Sequence, residues 1–249
     1  MLSKKIELAD IDTIPPEDLG KQKTKEKSDE LRDELSDLQQ RLYAQSRYAV
    51  LVVIQGMDAS GKDGAVKNVF SGINPAGCNV TSFKAPTEEE TKHDFLWRIH
   101  RACPPKGMIH IFNRSHYEDI LVPSVHKTVD EGIISKRYDM INDFEKLLTN
   151  SDTILLKFYL HVSEKEQLER INERQKDPFK KWKYQEGDIT EVRHRKEYMK
   201  VYEQIFDTCS NAAPWHIVPS DKNWYKEYCI LNTIVSTLHQ YDIHYPEFK

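Results

Sequence analysis

Hydrophobic residues fall in five short runs that are separated by longer stretches with helical periodicity. The runs cover residues 49–54, 79–83, 107–112, 153–160 and 215–219. Short apolar runs, of which the first is rich in β-branched residues, predict buried strands. Strands that alternate with helical segments along a chain are typical of an α/β fold. We therefore predict a parallel sheet with helices on both faces.

The helical stretches carry recognisable start signals. Thr87 and Glu90 form a capping box that predicts a helix continuing through Ile99. Ser163 and Glu166 give the same signal after the fourth strand. Further helices are predicted up to about residue 148, from 188 to about 209, and over about 224–239.

The first predicted helix, over residues 17–45, is highly charged but has one apolar stripe with spacings of three and four residues. Such a stripe packs either on the sheet of its own chain, which is the commoner outcome, or on another subunit. Two heptads are too few to predict a coiled coil. We divide the chain into an N-terminal extension with this helix, residues 1–46, and an α/β domain, residues 47–249. The stripe consists of Leu31, Leu35, Leu38 and Leu42.

A glycine-rich loop follows the first strand and leads directly into a helix. We call residues 56–64, with the sequence GMDASGKDG, the glycine loop. Its glycines permit backbone angles at which successive N–H groups converge on phosphate oxygens, and the following helix N-terminus favours the same anion. Lys62 adds a mobile positive charge for the outer phosphates. The alternative is an ordinary turn between a strand and a helix. The predicted phosphate-binding residues here are Gly56, Met57, Ala59, Ser60, Gly61, Asp63, Gly64 and Lys67.

Polar side chains also follow the third strand, in residues 113–119. Ligands of open α/β sheets bind at the carboxyl ends of the strands, so this segment is expected to lie near the glycine loop. Arg114 is suited to neutralise charge on a transferring phosphoryl group. The alternative is a helical ion pair between Arg114 and Glu118, four residues apart. We predict that Asn113 and Glu118 contribute to nucleotide or phosphate binding.

The glycine loop departs at one position from the usual phosphate-binding pattern. Asp63 stands where a Ser or Thr hydroxyl normally holds Mg²⁺. Mg²⁺ prefers hard oxygen ligands, so Asp58 can take over part of that role. Because Asn113 carries no charge, we predict Asp58, Glu118 and Asp119 as the metal-binding residues, with Asp58, Lys62 and Arg114 as the catalytic ones.

Residues 170–187 are basic and aromatic, with few aliphatic side chains. A basic run is most often a solvated face. Its position after a strand and a capped helix favours a mobile lid, at about 170–190, over the phosphate site. The number of cations suits a long polyanion better than one nucleotide. Phe179 or Trp182 would stack on a base or anchor the lid by packing. The predicted phosphate-binding cations are Arg170, Arg174, Lys180 and Lys183.

Composition narrows the range of partners. The formal net charge of −4 over 249 residues argues against a general nucleic-acid binder. Four widely spaced cysteines indicate neither a zinc site nor a disulfide framework. The chain shows no secretory signal and no apolar run of membrane-spanning length. We expect a reduced cytoplasmic protein without a nucleic-acid or membrane partner.

Several motifs together resemble polyphosphate kinase family 2 over residues 48–241. The glycine loop is similar to that family's own loop, in which an Asp at the third position and a Gly at the ninth are usual, so Asp63 is not anomalous there. The other similar segments are FKAPT at 83–87, FNRSHYED at 112–119, PFKKWK at 178–183 and PWHIVPSD at 214–221.

The resemblance implies a P-loop kinase fold related to thymidylate kinase, with a helical lid. It also implies Mg²⁺-dependent, reversible phosphoryl transfer between inorganic polyphosphate and nucleotides, in which Asp58, Lys62 and Arg114 act. Asn113 stands where other members have Asp. With Glu118 and Asp119 it resembles the subgroup that accepts nucleoside mono- and diphosphates. Members usually form dimers or tetramers, which favours an intersubunit role for the leucine stripe.

Our leading hypothesis is a polyphosphate-dependent kinase of AMP, ADP or both, with adenine nucleotides and, as a further candidate, guanine nucleotides as substrates. One alternative is a nucleoside or nucleotide kinase that uses ATP as donor. It would turn over without polyphosphate. A second alternative is a non-catalytic sensor of polyphosphate or nucleotides. It would bind these ligands without turnover.

The lid hypothesis predicts how two of its lysines act. Replacing Lys180 and Lys183 together with neutral residues should raise the concentration of polyphosphate needed for half-maximal rate more than that of nucleotide, because a long polyanion contacts more cations. Initial rates with each substrate varied in turn measure this. Equal effects on both substrates would indicate a lid whose lysines do not bind polyphosphate in preference to nucleotide.

Overall fold

The sheet confirms all five predicted strands. The computed structural model of the protein describes residues 6–179, 181–183 and 187–247, without the side chains of Lys183, Asp188 and Ile189. Within these residues the strands lie in the order β2-β3-β1-β4-β5, and all neighbouring pairs are parallel. The strands are β1 (Ala49–Gly56), β2 (Cys78–Ser82), β3 (Ile109–Asn113), β4 (Thr153–His161) and β5 (Trp215–Pro219).

Helices connect the strands, as the α/β pattern predicts. No helix of the described residues is long and apolar enough to cross a lipid bilayer. The helices are α1 (Lys21–Gln45), α2 (Lys62–Val69), α3 (Trp97–Ala102), α4 (Glu118–His126), α5 (Glu131–Thr149), α6 (Glu164–Lys176), α7 (Gly187–Arg193), α8 (Arg195–Thr208) and α9 (Asn223–Leu238).

Two hydrophobic cores, one on each face of the sheet, account for the absence of polar alternation in the central strands. Side chains of successive strand residues point to opposite faces. Val50, Val52 and Ile54 of β1 belong to the core formed with α1, α2 and α9. Leu51 and Val53 belong to the core formed with α4, α5 and α8. Both faces are therefore buried, as the apolar run in β1 predicts.

The leucine stripe of α1 packs within its own chain. Leu35 and Leu42 are fully buried, and Leu31 and Leu38 are nearly so. All four belong to the core that contains β1 and α9. The intersubunit role that the resemblance favoured for this stripe is therefore wrong. The interpretation from the residues alone, packing on the sheet of the same chain, is confirmed.

The capping box at Thr87 forms as predicted, but the helix beyond it does not continue. The Glu90 side chain accepts from the Thr87 N–H at 2.8 Å, and the Thr87 hydroxyl accepts from the Glu90 N–H at 3.2 Å. Only a short 3₁₀ turn, Glu90–Lys92, follows. Asp94 then accepts from the Leu96 N–H at 3.0 Å, an Asx-type turn that competes with the helix. α3 begins only at Trp97, so the prediction of one helix through Ile99 was wrong.

A buried polar network contacts the segment that follows β3. Glu145 of α5 accepts from Lys157 Nζ and from the Tyr117 hydroxyl, each at 2.6 Å. Lys157 Nζ also donates to the Cys209 carbonyl at 2.6 Å, and His116 lies 3.2 Å from Glu145. Burial would raise the pKa of Glu145, but its bonds to His116 and Lys157 outweigh this and lower it. The network fixes His116 and Tyr117, which are two and three residues beyond Arg114.

This network predicts a large loss of stability when one partner is removed. Lys157→Met should lower the free energy of unfolding by roughly 3–5 kcal/mol, because Glu145 is left buried without its cation. Chemical denaturation measures the change. Lys106→Met provides the matched control, because it breaks an exposed ion pair to Asp152 and should leave stability nearly unchanged. Similar losses in the two variants would contradict the role of the buried pair.

Candidate active site

The glycine loop joins the end of β1 to the start of α2 through left-handed backbone conformations. Ala59 has φ of 60° and Gly61 has φ of 93°. Gly56 has no room for a side chain, because a Cβ there would lie 2.7 Å from Ser60 Oγ and 3.0 Å from the Leu160 carbonyl. A loop with left-handed residues at alternating positions forms the concave backbone that binds anions. The loop therefore has the shape that its sequence predicts.

Asp58 and Arg114 form an ion pair across two neighbouring strands. β1 and β3 are paired in parallel, so residues that follow them meet at the same edge. The Arg114 Nη2 donates to Asp58 Oδ1 at 2.7 Å. Arg114 has φ of 64°, and its N–H donates to the Ile54 carbonyl at 3.0 Å. Arg114 precedes α4 rather than belonging to it, so the alternative of a helical pair with Glu118 was wrong.

The charges at this edge of the sheet shift one another's ionisation. Burial would raise the pKa of Asp58, but the cations Lys62, Arg114 and Arg174 outweigh burial and lower it. Burial and the Arg114 charge lower the pKa of Lys62 to about 8. Burial raises the pKa of Glu118, which Arg114 and Lys62 only partly oppose. The site therefore holds an ionised Asp58 between cations, with Glu118 close by.

A cavity of about 210 Å³ opens at this point. Asp58, Arg114 and Glu118 give its lining charged groups, and α4 and α8 give it apolar and aromatic side chains. The mixed lining can hold a ligand that has both anionic and less polar groups. The lining residues are Gly56, Met57, Asp58, Arg114, Glu118, Leu121, Val122, His126, Gln167, Glu191, Tyr198 and Tyr202.

The comparisons with known proteins agree with this geometry. A sequence model of the family "Polyphosphate kinase 2 (PPK2)" matches residues 18–246. The chain belongs to this family. It is 44% identical over 229 residues to an AMP/ADP-polyphosphate phosphotransferase of Meiothermus ruber, covering 92% of this chain and 86% of the relative. It is 40% identical to an ADP-polyphosphate phosphotransferase of Rhodopseudomonas palustris, covering 86% of this chain and 79% of the relative.

A solved structure supports the fold of this chain. The crystal structure of polyphosphate kinase 2 from Arthrobacter aurescens TC1 is similar over 100% of this chain and 90% of the other, with a TM-score of 0.95 and 36% identity. The chain is accordingly a phosphotransferase with the P-loop kinase fold. Phosphotransferases of this family generally need a divalent cation.

Arg170 has a different role in the structure from the one predicted. Its guanidinium donates to the carbonyls of Ala59 and Ser60, at 3.1 and 3.0 Å. It also donates to the Ser220 carbonyl at 2.7 Å and to Glu166 at 2.9 Å. These contacts tie Arg170 to the backbone of the glycine loop, which corrects its prediction as a phosphate ligand. A mobile lid can therefore begin only beyond Arg170.

Other predicted site residues are divided between the cavity and its surroundings. Asp119 is not part of the cavity lining, and its carboxylate lies 3.4 Å from Arg98. The structure thus separates Asp119 from the predicted metal site. Lys67 is exposed on α2. Arg174 lies near enough to Asp58 to lower its pKa. Lys180 and the Lys183 side chain lie outside the described residues.

Asn113 contacts the loop residue that departs from the usual phosphate-binding pattern. Its Nδ2 donates to Asp63 Oδ1 at 2.9 Å. An aspartate at this position could not donate and would place two carboxylates against each other, which raises the pKa of one of them. The Asn113 amide and the Asp63 carboxylate therefore fit each other as a pair.

The sequence analysis missed several residues around the cavity. Tyr198 and Tyr202, four residues apart on α8, line it, and this spacing was the signal that could have identified them. Glu191 accepts from the Tyr198 hydroxyl at 2.7 Å and lies 3.2 Å from His126.

Phe179 and Trp182 are 88% and 78% exposed, so neither anchors its segment in the core.

The donor set of the cavity suits Mg²⁺ only in part. Asp58 is ionised, and Glu118 supplies a second carboxylate to the same cavity. Among the described residues, no group of three or more His, Cys, Asp or Glu side chains has the arrangement of a metal site. Hard oxygen ligands from substrate phosphates and water usually complete a Mg²⁺ site of this kind. Asp58 and Glu118 therefore fit a cation that arrives with phosphates.

The lowered pKa of Lys62 predicts how stability depends on pH. Burial lowers its pKa in the folded chain to about 8, from the ordinary lysine value of 10.5. Between these values the unfolded chain binds more protons, so this lysine makes the free energy of unfolding rise with pH. Lys62→Met should show a smaller rise between pH 8 and 10.5 in urea denaturation. Lys67→Met, on the exposed side of α2, should retain the wild-type rise, and an unchanged rise in Lys62→Met would refute the assignment.

Proposed function

We propose that this chain transfers phosphoryl groups from inorganic polyphosphate to AMP, ADP or both, reversibly and with Mg²⁺. The observation that carries the proposal is the meeting of Asp58 and Arg114 at one cavity beside the glycine loop, with Lys62 buried within that loop. Phosphoryl transfer needs positioned anions and compensation of their charge more than covalent chemistry. These three residues and the loop provide both.

The roles of the residues follow from their places in the cavity. The amides of the glycine loop bind phosphate oxygens, and Arg114 neutralises charge on the transferring group. Lys62, whose Nζ donates to the carbonyls of Gly56 and Met57 in the free chain, turns to the phosphates when they bind. The acceptor phosphate is already anionic, so no side chain has to remove a proton from it. Mg²⁺ would be held by Asp58 and Glu118 and would neutralise further phosphate charge when bound. The ion pair with Asp58 keeps Arg114 pointed at the cavity before substrates arrive.

The mixed lining of the cavity suits a nucleotide. Leu121 and Val122 of α4 and Tyr198 and Tyr202 of α8 contribute apolar and aromatic surface. Such side chains suit a nucleoside, whereas Arg114 and a cation held by the carboxylates suit its phosphates. Relatives named for AMP/ADP and for ADP support both acceptors. Adenine nucleotides are the proposed substrates, and guanine nucleotides are a further candidate, since another relative is a GDP-polyphosphate phosphotransferase.

The remaining expectations from the sequence also stand as proposals. We propose a lid from beyond Arg170 to about residue 190, which closes over the phosphates. The exposed Phe179 and Trp182 are available for contact with a ligand there. We further propose a homodimer or homotetramer and a cytoplasmic location, for which the four free cysteines are suitable. The division into an N-terminal segment, 1–46, and a kinase domain, 47–249, is retained as a proposal.

The direct test mixes the purified chain with polyphosphate, Mg²⁺ and either AMP or ADP, and separates the nucleotides by chromatography. We expect ADP and ATP to form, and polyphosphate omission to abolish the reaction. Turnover with ATP as the only phosphate donor and a nucleoside as acceptor would support the ATP-dependent alternative. No phosphorylated nucleotide at any polyphosphate chain length would overturn the proposal.

The catalytic roles predict the effect of two substitutions. Lys62→Ala and Asp58→Ala should each lower turnover by at least about a hundredfold, the scale for the loss of one preorganised charge partner. Initial rates at saturating substrate measure this. Lys106→Ala, which removes an exposed lysine just before β3, at the end of this strand opposite to Arg114, serves as the matched control and should change turnover little. A loss below about threefold for Lys62→Ala or Asp58→Ala would remove that residue from the mechanism.

A further inference from the structure

Side chains hold six consecutive carbonyl oxygens of the glycine loop. Lys62 Nζ donates to the carbonyls of Gly56 and Met57, at 2.7 and 3.1 Å. Gln167 Nε2 donates to the carbonyl of Asp58 at 3.0 Å. The next three carbonyls bind two cations from distant helices: Arg170 holds those of Ala59 and Ser60, and Lys226 Nζ lies 3.3 Å from that of Gly61.

Lys226 is the least expected member of this set. It lies on α9, 165 residues from Gly61 in the sequence, and is only 1% exposed. Its Nζ also donates to Asn223 Oδ1 at 2.8 Å. A Cβ on Gly61 would collide with Lys226 Nζ. Neither Lys226 nor Arg170 lines the cavity that contains Asp58 and Arg114. Both cations therefore lie against the loop without facing that cavity.

Binding these carbonyls determines where the loop's N–H groups point. The carbonyl of one residue and the N–H of the next belong to one planar trans peptide and point in opposite directions. When Ser60 and Gly61 carbonyls bind Arg170 and Lys226, the N–H groups of Gly61 and Lys62 must point away from these cations. The amides are thus oriented before any phosphate binds, which removes part of the ordering cost of binding.

The two cations also act through their charge. Lys226 is buried beside Arg170 and has no carboxylate within ion-pair distance among the described residues. Burial and the Arg170 charge lower the pKa of Lys226 to about 8. A buried cation without a close counter-ion raises the free energy of the free chain. This free-energy cost falls when an anion binds nearby. This effect favours polyanion binding at the loop.

We propose that Lys226, together with Arg170, is a positioning residue that orients the glycine loop for its phosphate ligand. The inference rests on the proposed function, since it assigns the loop to a phosphate chain. Lys226 does not touch the ligand itself. It acts through the Gly61 carbonyl and through its charge behind the loop.

The test measures tripolyphosphate binding to the full chain by calorimetry and, separately, the thermal unfolding midpoint without ligand. Lys226→Met keeps the side-chain length but removes the charge and the donor. We expect about tenfold weaker tripolyphosphate binding, with an unfolding midpoint that is unchanged or higher, because an apolar side chain replaces a buried cation. A residue with a structural role alone would lower the midpoint and leave the affinity of the folded chain unchanged.

Lys222→Met is the matched control. It removes an equal charge one turn earlier, at the exposed N-cap of α9, where Lys222 has no contact with the loop. It should bind tripolyphosphate like the wild type. Equal affinities of Lys226→Met and Lys222→Met would overturn the inference, as would a lowered midpoint with unchanged affinity.

Arg170→Lys keeps the inference testable if Lys226→Met does not fold. The lysine side chain retains the positive charge, but its ammonium group cannot donate to carbonyls on several sides at once. Tripolyphosphate binding should therefore again weaken by about tenfold. Wild-type affinity in Arg170→Lys would then overturn the inference. A wild-type chain that binds neither tripolyphosphate nor ADP would overturn the proposed function itself. Tight wild-type binding that neither variant weakens would overturn only the positioning role.

Discussion

The ion pair between Asp58 and Arg114 joins the two loops on which the site depends. It spans the ends of β1 and β3, and it forms because these strands are neighbours in a parallel sheet. The ion pair is accompanied by backbone strain, since Arg114 is held at φ of 64°. A left-handed conformation at a non-glycine residue persists only where surrounding contacts impose it. Here those contacts are the bond to the Ile54 carbonyl and the buried network around Glu145.

The two faces of the sheet support the site in different ways. The face covered by α1, α2 and α9 places the loop helix and Lys226 against one rigid apolar core. The opposite face contains the fully buried Lys157–Glu145 pair, which fixes the residues after Arg114. Buried ion pairs add little net stability compared with apolar packing, but they have strict geometric requirements. The polar contacts of this buried pair therefore help to determine the position of Arg114.

The sequence predicted the elements that depend on local pattern and missed those that depend on distant contacts. All five strands and the glycine loop follow from apolar runs and glycine spacing. The prediction of a helix after Thr87 failed because Asp94 makes a competing turn, which a capping signal four residues long does not reveal. Arg170 was assigned to phosphate because a basic run does not show whether each cation faces a ligand or a backbone carbonyl. Lys226 carried no local signal, since its partner is 165 residues away.

The unfavourable features of this fold are concentrated around the glycine loop. Ala59 and Arg114 have left-handed backbones, and Lys62 and Lys226 are buried cations whose pKa is lowered to about 8. Each feature lowers the stability of the free chain, and the two buried cations become less costly when a polyanion binds at the loop. A protein selected for stability alone would replace them with apolar packing. Their arrangement around the glycine loop indicates that the free energy of binding phosphate, rather than that of folding, explains their presence.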